Sequence, residues 1–367
     1  MKIAFIVGHH IYNSIGGSEV QASYILEYLK KKGHNIFYIC YGKQSNIKSV
    51  YKEKNFRIYN ISKPWKGIKQ SQYFKKRILW KILDFENPDL IYQRGDFHFS
   101  DLVSRYGKSR DIPVISAITM ERHCQPIKIR KNHMIIFDVL DKFLIKSYFN
   151  KSTKIIAQTT HQKKQLKKNY NLNSIVIPNA HPIPNIKEKR GNGFKIIWVA
   201  NIKPIKRPLK FIELANKLSD TNIKFYMVGK LGKRNLQSKM NENLKNNKNI
   251  NYLGYKNIDE TNRLISESKI LVNTSESEGF SNTFIQAWLR GTVVISMNTD
   301  PEDLIKNKSL GYIAPNIDEM EKTIRRLLNN PYEMKKVRKY SMEYAMKHFD
   351  IEVVGKKYLK MFNKLKM

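Results

Sequence analysis

Short apolar runs alternate with longer amphipathic stretches along the first half of this chain. Apolar runs with the length of buried strands lie near residues 2–8, 36–40, 56–59, 90–92, 114–117, 155–157 and 174–177. Between them, apolar positions recur at helical spacing near residues 18–32, 68–84, 97–109, 130–149 and 160–169. Such alternation is typical of a parallel sheet with helices on both faces.

The alternation stops in a proline-rich segment at residues 178–184. Its three prolines fit neither a helix interior nor a central strand. Residues 185–193 add charge and two glycines. We therefore predict an N-terminal Rossmann-like domain at 1–183, a C-terminal one at 184–349, and a helix at 350–367 that packs back on the first domain.

A second alternating series follows the boundary. Strands are predicted near 194–199, 223–228, 250–253, 270–272 and 292–296, and helices near 208–218, 233–245, 257–267, 317–329, 331–348 and 351–365. The fold class is therefore α/β. We expect two doubly wound, Rossmann-like domains that face each other across a cleft, and the cleft is the natural place for an active site.

One stretch of the second series combines strand, loop and helix with a carboxylate. The apolar run 270–272 is followed by the small and polar loop 274–280, which contains Glu278 beside a glycine. Ser281 or Asn282 is suited to cap the helix that follows. Ligands of open α/β sheets bind at the carboxyl ends of strands, where amides at a helix start also favour anions. This loop is therefore a candidate ligand site.

Two further sequence features can belong to the same kind of site. Lys206 and Arg207 follow the first strand of the second series and precede a helix, so they can neutralise a diphosphate; the alternative is ordinary surface charge. Gly16 and Gly17 lie between the first strand and a helix, where a backbone can approach a ligand; the alternative is a tight turn. Dinucleotide-binding GxGxxG and nucleophilic GxSxG motifs are absent.

Composition bounds the class of protein and its partners. The 367 residues carry a net charge of +36, which favours nucleic acid, an anionic membrane surface or anionic small substrates as partners, unless it reflects lysine-rich composition alone. Cys40 and Cys124 give neither a disulfide framework nor metal spacing, and the histidines show no metal-binding motif. Without an apolar run of about 18 residues, we expect no transmembrane helix and a cytoplasmic protein.

The stretch 277–294, which reads SEGFSNTFIQAWLRGTVV, resembles the retaining glycosyltransferases of family 4, which have the GT-B fold. That family has two glutamates here, separated by seven intervening residues. Glu278 matches the first, which contacts the donor sugar. The second, which binds the nucleotide ribose, falls on Gln286, a neutral side chain that still forms hydrogen bonds. The resemblance also assigns sugar and diphosphate contacts to backbone amides near Gly279, Phe280, Asn282 and Thr283.

Other segments extend the resemblance to nearly the whole chain. The segment 199–206, VANIKPIK, is similar to a family segment whose phosphate-binding lysine falls on Lys206 and whose arginine falls on Asn201; Arg207 is a candidate replacement for that arginine. The segments 16–19, GGSE, and 177–180, IPNA, also resemble family motifs. A family histidine that reaches the donor sugar has no counterpart in register, and Glu121 and His123 are the candidate substitutes.

The resemblance implies transfer of a sugar from a nucleotide diphosphate sugar to a hydroxyl group, with retention of anomeric configuration. It implies no cofactor and no metal. Lys206, Arg207 and helix-start amides then stabilise the departing diphosphate, while Glu278 holds the sugar. The acceptor, a sugar or a lipid-linked molecule, is expected on the first domain, within polysaccharide or glycolipid synthesis.

Residues 63–81 carry seven basic residues, no acidic residue and interleaved aromatics. Such a segment can lie on an anionic membrane surface, here the inner face of the cytoplasmic membrane. The alternative is a solvated helix whose aromatic side chains face the core. Two other functions remain open. A non-catalytic nucleic-acid-binding protein has support from charge alone and no recognition motif, so we expect no nucleic acid partner. A GT-B homologue without transfer activity is suggested by Asn201 and Gln286.

Overall fold

The computed structural model describes residues 1–9, 16–42, 51–53, 56–62, 70–95, 97–119, 121, 124–125, 148–184, 193–232, 234–245, 247 and 249–365. The chain forms two compact units. Unit 1 comprises Met1–Ala180 together with Ile351–Met367, and unit 2 comprises His181–Asp350.

Strands and helices alternate along both units. The strands are β1 (Lys2–Val7), β2 (Asn35–Gly42), β3 (Tyr51–Glu53), β4 (Phe56–Ser62), β5 (Leu90–Arg94), β6 (Val114–Ala117), β7 (Lys154–Ala157), β8 (Ile175–Val176), β9 (Lys195–Val199), β10 (Lys224–Val228), β11 (Ile250–Tyr252), β12 (Ile270–Asn273), β13 (Val293–Ser296) and β14 (Gly311–Ile313). The α-helices are α1 (Gly17–Lys31), α2 (Gln70–Glu86), α3 (Phe97–Arg110), α4 (Thr160–Tyr170), α5 (Pro208–Lys217), α6 (Arg234–Lys245), α7 (Ile258–Glu267), α8 (Asn282–Leu289), α9 (Leu304–Lys308), α10 (Ile317–Asn329), α11 (Pro331–Phe349) and α12 (Ile351–Asn363).

Unit 1 is built on one sheet with the strand order β3-β4-β2-β1-β5-β6-β7-β8. Every pairing is parallel except that of β3 with β4. The last helix of the chain, α12, belongs to this unit: its Tyr358 and Phe362 are buried and contact the ring of Tyr92 on β5. This contact anchors the C-terminal helix by aromatic packing.

Unit 2 contains a fully parallel sheet with the strand order β11-β10-β9-β12-β13-β14. From β9 the chain moves outward to β10 and β11, then returns to pair β12 with β9 on the other side. The direction of winding therefore reverses between β9 and β12. In sheets of this order, ligands bind at the carboxyl ends of the strands that flank such a reversal.

Two apolar layers cover the faces of the unit 2 sheet. Trp198 and Phe211 lie in one layer, with their ring centroids 6.3 Å apart. Trp288 lies in the other, stacked on Phe349 with centroids 6.0 Å apart, and its indole N–H donates to the Leu310 carbonyl at 2.7 Å. Burial of both faces explains why the strands read as continuous apolar runs.

The predicted alternation is confirmed in most of its elements, with ends that shift by a few residues. Sequence patterns missed the short elements β3, β14 and α9, and the predicted helix at 130–149 lies outside the described residues except for its last part. Three-residue strands are too short to show a period. Helix α9 follows Glu302 and Asp303, two consecutive residues with positive φ of 61° and 52°, a conformation that side-chain patterns do not reveal.

Candidate active site

The carboxyl ends of β9 and β12 meet where the winding of unit 2 reverses. The loop after β9 contains a 3₁₀ turn, Pro204–Lys206, and leads into α5. The loop after β12 runs from Thr274 to the start of α8. The two adjacent loops thereby carry Lys206, Arg207 and Glu278, although Lys206 and Glu278 are 72 residues apart in the sequence.

Lys206 and Glu278 form the central charge pair of the two loops. The Lys206 ammonium lies 2.6 Å from Oε2 of Glu278, and their side chains are 20% and 15% exposed. The other carboxylate oxygen, Oε1, accepts hydrogen bonds from the Ser275 hydroxyl at 2.8 Å and the Asn273 amide at 3.3 Å. Limited solvent exposure strengthens this electrostatic pair relative to a surface ion pair.

Arg207 and Glu276 form a second, more exposed pair beside the first. The Arg207 side chain donates from Nε at 2.8 Å and lies with Nη2 at 2.7 Å from the same carboxylate oxygen, Oε1 of Glu276. Arg207 has φ of 47°, an uncommon conformation for a residue with a side chain. Because the two side chains are 36% and 50% exposed, the pair adds little to stability.

Thr274 joins the two loops through its hydroxyl. This oxygen accepts from the buried indole N–H of Trp198 at 3.0 Å and lies 2.8 Å and 3.0 Å from the carbonyl oxygens of Lys206 and Arg207. The Glu276 amide also donates to the Ile205 carbonyl at 2.9 Å. The two loops therefore hold the cations and carboxylates on a fixed backbone.

The start of α8 adds backbone amides to the same end of the sheet. Ser281 occupies the N-cap position, but its hydroxyl pairs with that of Thr283 at 2.9 Å and does not cap the helix. The first turn carries the partial positive charge of a helix start. Gly279 is half-buried, whereas the Phe280 ring is buried against Phe349.

Gln286 lies on α8 one turn beyond Asn282 and is only 5% exposed. Its amide nitrogen donates to Oδ1 of Asn262, on α7, at 2.8 Å. The helical spacing with Asn282 is as predicted from the sequence. The Asn262 contact was not predicted, because no sequence pattern relates α7 to α8.

His181, the first residue of unit 2, also contacts the α8 start. Its side chain is buried and hydrogen bonds with that of Asn282. Burial, together with the charge of Arg290, lowers the pKa of His181 to about 3, while the Asn282 bond opposes the shift. A neutral imidazole therefore supports Asn282 across the physiological pH range.

Gly16 and Gly17 belong to unit 1, after β1 and at the start of α1. A side chain at position 16 would meet the Glu19 carboxylate, because a Cβ there would lie 2.5 Å from Oε2. Burial raises the pKa of Glu19, and the charge of Arg94 together with backbone hydrogen bonds at Gly16 and Glu19 acts in the opposite direction. A side chain at position 16 would therefore displace the Glu19 carboxylate, which is the movable end of a flexible side chain.

The remaining predicted site residues differ in their surroundings. Asn201 is exposed in the loop after β9. In unit 1, Oε2 of Glu121 lies 3.7 Å from Nε2 of His161. His123 lies outside the described residues. Sequence reasoning did not single out Ser275 or Asn273 as partners of Glu278; their only signal was polarity at the end of an apolar run.

The basic segment 63–81 is only partly described. Within α2, the Trp80 ring packs edge-on against Tyr106, its indole N–H donates to the Leu102 carbonyl at 3.2 Å, and the Lys76 ammonium lies 4.2 Å from its centroid. For Trp80 the core-facing alternative holds; Trp65 and the side chains of Tyr73 and Phe74 lie outside the description. No helix in the described part of the chain is long and apolar enough to cross a membrane.

Two family models match the chain, one for each half. The model for glycosyl transferases group 1 matches residues 180–346, and that for glycosyltransferase family 4 matches residues 15–182. The chain is a family 4-like glycosyltransferase. No curated protein matches this glycosyltransferase in sequence.

Solved structures resemble the glycosyltransferase over its full length. HepE from Anabaena, in complex with UDP and glucose, matches with a TM-score of 0.76 and 14% identity, covering 99% of this chain and 100% of that one. A glycosyltransferase from Rickettsia africae matches with a TM-score of 0.76 and 18% identity, covering 99% of this chain and 98% of that one. Sucrose-phosphate synthase from Thermosynechococcus elongatus matches with a TM-score of 0.77 and 14% identity, covering 99% of this chain and 98% of that one. At these identities the likeness shows the fold, which is GT-B.

Proposed function

We propose that the protein is a retaining glycosyltransferase that moves a sugar from a nucleotide diphosphate sugar to a hydroxyl acceptor. The observation that carries the proposal is the ammonium of Lys206, 2.6 Å from the Glu278 carboxylate, at the carboxyl ends of β9 and β12. A cation suited to phosphate and a carboxylate suited to sugar hydroxyls lie side by side there. In a nucleotide diphosphate sugar, phosphate and sugar are likewise neighbours, joined by one glycosidic oxygen.

The cations act on the diphosphate. Lys206 contacts a phosphate oxygen and its charge grows in importance as the glycosidic bond breaks, since negative charge then collects on the leaving group. Arg207 supplies the second positive charge in place of an arginine at position 201. Its guanidinium has to leave Glu276 to do so. Because that ion pair is exposed, breaking it requires little free energy.

Glu278 accepts hydrogen bonds from the donor sugar and does not attack it. The diphosphate leaves the anomeric carbon of the sugar on the same face that the acceptor hydroxyl approaches. The bond between the anomeric carbon and the phosphate oxygen breaks, the acceptor oxygen bonds to that carbon on the same face, and the acceptor proton passes to the departing phosphate oxygen. Configuration at the anomeric carbon is retained.

Backbone and amide groups complete the donor site. Amides at Gly279, Phe280, Asn282 and Thr283 meet the sugar and the diphosphate at the start of α8, where the helix dipole favours negative charge. Gln286 binds the ribose hydroxyls as a neutral donor and acceptor. Gly16 and Gly17 contact the donor through their backbone. We propose that these groups and the two cations meet the charge of the leaving group without a metal ion or cofactor.

We further propose that unit 1 binds the acceptor, a sugar or lipid-linked molecule of polysaccharide or glycolipid synthesis, at the cytoplasmic face of a membrane. The net charge of +36 supports attraction to anionic lipid. Co-sedimentation with vesicles of increasing phosphatidylglycerol content, at low and high salt, tests this part. We expect salt-sensitive binding to anionic vesicles, and an absence of binding at low salt contradicts it.

Donor cleavage tests the enzymatic proposal. Purified protein is incubated with UDP- and GDP-sugars, with and without simple glycosides, and released nucleoside diphosphate is measured while ¹H NMR follows the anomeric proton of the product. We expect release that Lys206→Ala abolishes, and a product with the donor's anomeric configuration. Inverted product contradicts the retaining mechanism. Nucleotide binding without any release supports a homologue that has lost transfer activity.

A further inference from the structure

Asn273 is the last residue of β12 and lies directly beneath the Glu278 loop. Its side chain is 6% exposed. The amide nitrogen donates to Oε1 of Glu278 at 3.3 Å. The amide oxygen accepts from the Ser275 backbone N–H at 3.1 Å and from the Thr299 hydroxyl at 3.1 Å. These contacts join the amide to the Glu278 loop on one side and to Thr299 on the other.

The chemistry of these partners fixes the orientation of the Asn273 amide. A backbone N–H can only donate, so the Ser275 amide requires the Asn273 oxygen. An ionised carboxylate can only accept, so Glu278 requires the Asn273 nitrogen. An asparagine meets both requirements in one rigid group. Aspartate has the same shape but presents oxygen, and a second negative charge, toward Glu278.

Thr299 extends this arrangement to the loop after β13. Its hydroxyl bonds to Asn273 and lies 3.0 Å from the Ser296 hydroxyl, which itself contacts the Thr299 carbonyl at 2.6 Å. Because Thr299 and Ser296 are buried, these bonds form away from solvent. The loop after β13 thus holds the Asn273 amide in place from the side opposite Glu278.

We propose that Asn273, held by Thr299, is the positioning residue that sets the orientation of the Glu278 carboxylate for the donor sugar. The inference rests on the proposed function of Glu278 and adds a residue to it. Asn273 and Ser275 hold Oε1, which leaves Oε2 directed toward Lys206. The carboxylate is thereby kept at the point where sugar and diphosphate join. Loss of the amide donor should disturb sugar binding and spare nucleoside diphosphate binding.

The decisive variant is Asn273→Asp, which keeps the side-chain shape and both accepted bonds. Asn298→Asp is its matched control. Asn298 is exposed in the loop after β13, and its substitution changes the charge by the same amount. Thr299→Val is a second variant that leaves Asn273 intact and removes the hydroxyl that orients it. Circular dichroism and the thermal midpoint establish that each variant is folded.

Calorimetric titration with UDP, GDP, UDP-glucose and GDP-mannose gives the first measurement. Whichever nucleotide sugar the wild type binds, we expect Asn273→Asp to lower the affinity for it by roughly tenfold or more. Binding of the corresponding nucleoside diphosphate should stay within about twofold of wild type. Thr299→Val should show the same pattern to a smaller degree, and Asn298→Asp should match wild type. Equal loss for both ligands in Asn273→Asp, or no loss for either, overturns the proposal.

A crystal structure of unliganded Asn273→Asp provides a measurement independent of any ligand. We expect the Glu278 carboxylate to turn away from position 273 and to lose its Ser275 contact. An unchanged carboxylate overturns the positioning role. If the wild type binds none of the four probes, the proposed function fails on its own, and the crystal structure still decides whether Asn273 orients Glu278.

Discussion

The Lys206 ammonium lies 2.6 Å from the Glu278 carboxylate, although the two residues stand on separate loops that leave β9 and β12. Each of the two side chains neutralises the charge of the other. A nucleotide sugar can replace this contact with two others, phosphate on the lysine and sugar hydroxyls on the carboxylate. The pair therefore compensates the charge of each side chain before the donor binds.

Glu278→Gln separates sugar binding from phosphate binding. The amide keeps the shape of the side chain but removes its charge, so Lys206 is no longer neutralised and remains available to phosphate. We expect sugar transfer to fall by roughly two orders of magnitude, as for loss of one strong hydrogen-bonding group in a transition state. Nucleoside diphosphate affinity should be equal or higher. Kinetics and calorimetry on one preparation measure both quantities, and unchanged transfer contradicts the role of Glu278.

Glu276→Gln tests whether Arg207 is held back by its carboxylate partner. Arg207 contacts Oε1 of Glu276 at 2.7 Å, and the pair is exposed. Removal of the charge should raise nucleoside diphosphate affinity by about two- to fivefold, the range that a surface ion pair allows. Arg207→Ala should lower the affinity, and it should cancel the gain when the two changes are combined. A gain that persists in the double variant would show that Glu276 acts through another residue.

Gln286 tests the ribose assignment. Gln286→Ala removes the partner of the Asn262 side chain in a buried site, which should cost about 1–3 kcal/mol of unfolding free energy. It should also weaken nucleotide binding, whereas Gln286→Glu should retain binding. Urea denaturation measures the first effect and calorimetry the second. If neither variant changes nucleotide affinity, Gln286 does not bind ribose.

His181 predicts a pH dependence of stability. Its pKa falls from 6.5 to about 3 in the folded state, so below pH 6.5 the unfolded chain binds a proton that the folded chain does not. Stability from this group is complete above pH 6.5 and is lost progressively as the pH falls toward 3, at up to about 1.4 kcal/mol per pH unit.

His181→Gln keeps a polar group for Asn282 and removes the titration. The difference in unfolding free energy between wild type and variant, measured by urea denaturation from pH 7.5 to 4.5, should move in favour of the variant as the pH falls. Parallel pH profiles for the two proteins would mean that His181 is protonated in the folded state or does not titrate in this range.

Sequence patterns predicted the long elements of the fold because buried parallel strands and amphipathic helices leave a clear periodic signal. They could not predict β3 and β14, since three residues hold no period, or the consecutive positive φ angles of Glu302 and Asp303. The site itself was predicted from a general rule, that ligands of open α/β sheets bind at the carboxyl ends of strands.

The contacts within the site were less accessible to sequence reasoning. Lys206 and Glu278 were both singled out, but their 2.6 Å contact depends on how two loops pack. Asn273 ended an apolar run and carried no distinguishing pattern, although its amide bonds to Glu278. The role of such a residue depends on its partners in space, and a single sequence does not contain them.

Nucleotide-dependent stabilisation tests the central claim most directly. Thermal midpoints of the wild type, Lys206→Ala and the exposed control Lys203→Ala are measured with UDP, GDP, ADP, UDP-glucose and GDP-mannose, since a ligand that binds the folded state raises the midpoint. We predict that at least one nucleotide stabilises the wild type and Lys203→Ala, and that Lys206→Ala loses the effect. An absence of stabilisation by every nucleotide, or equal stabilisation of all three proteins, would contradict a donor site at the ends of β9 and β12.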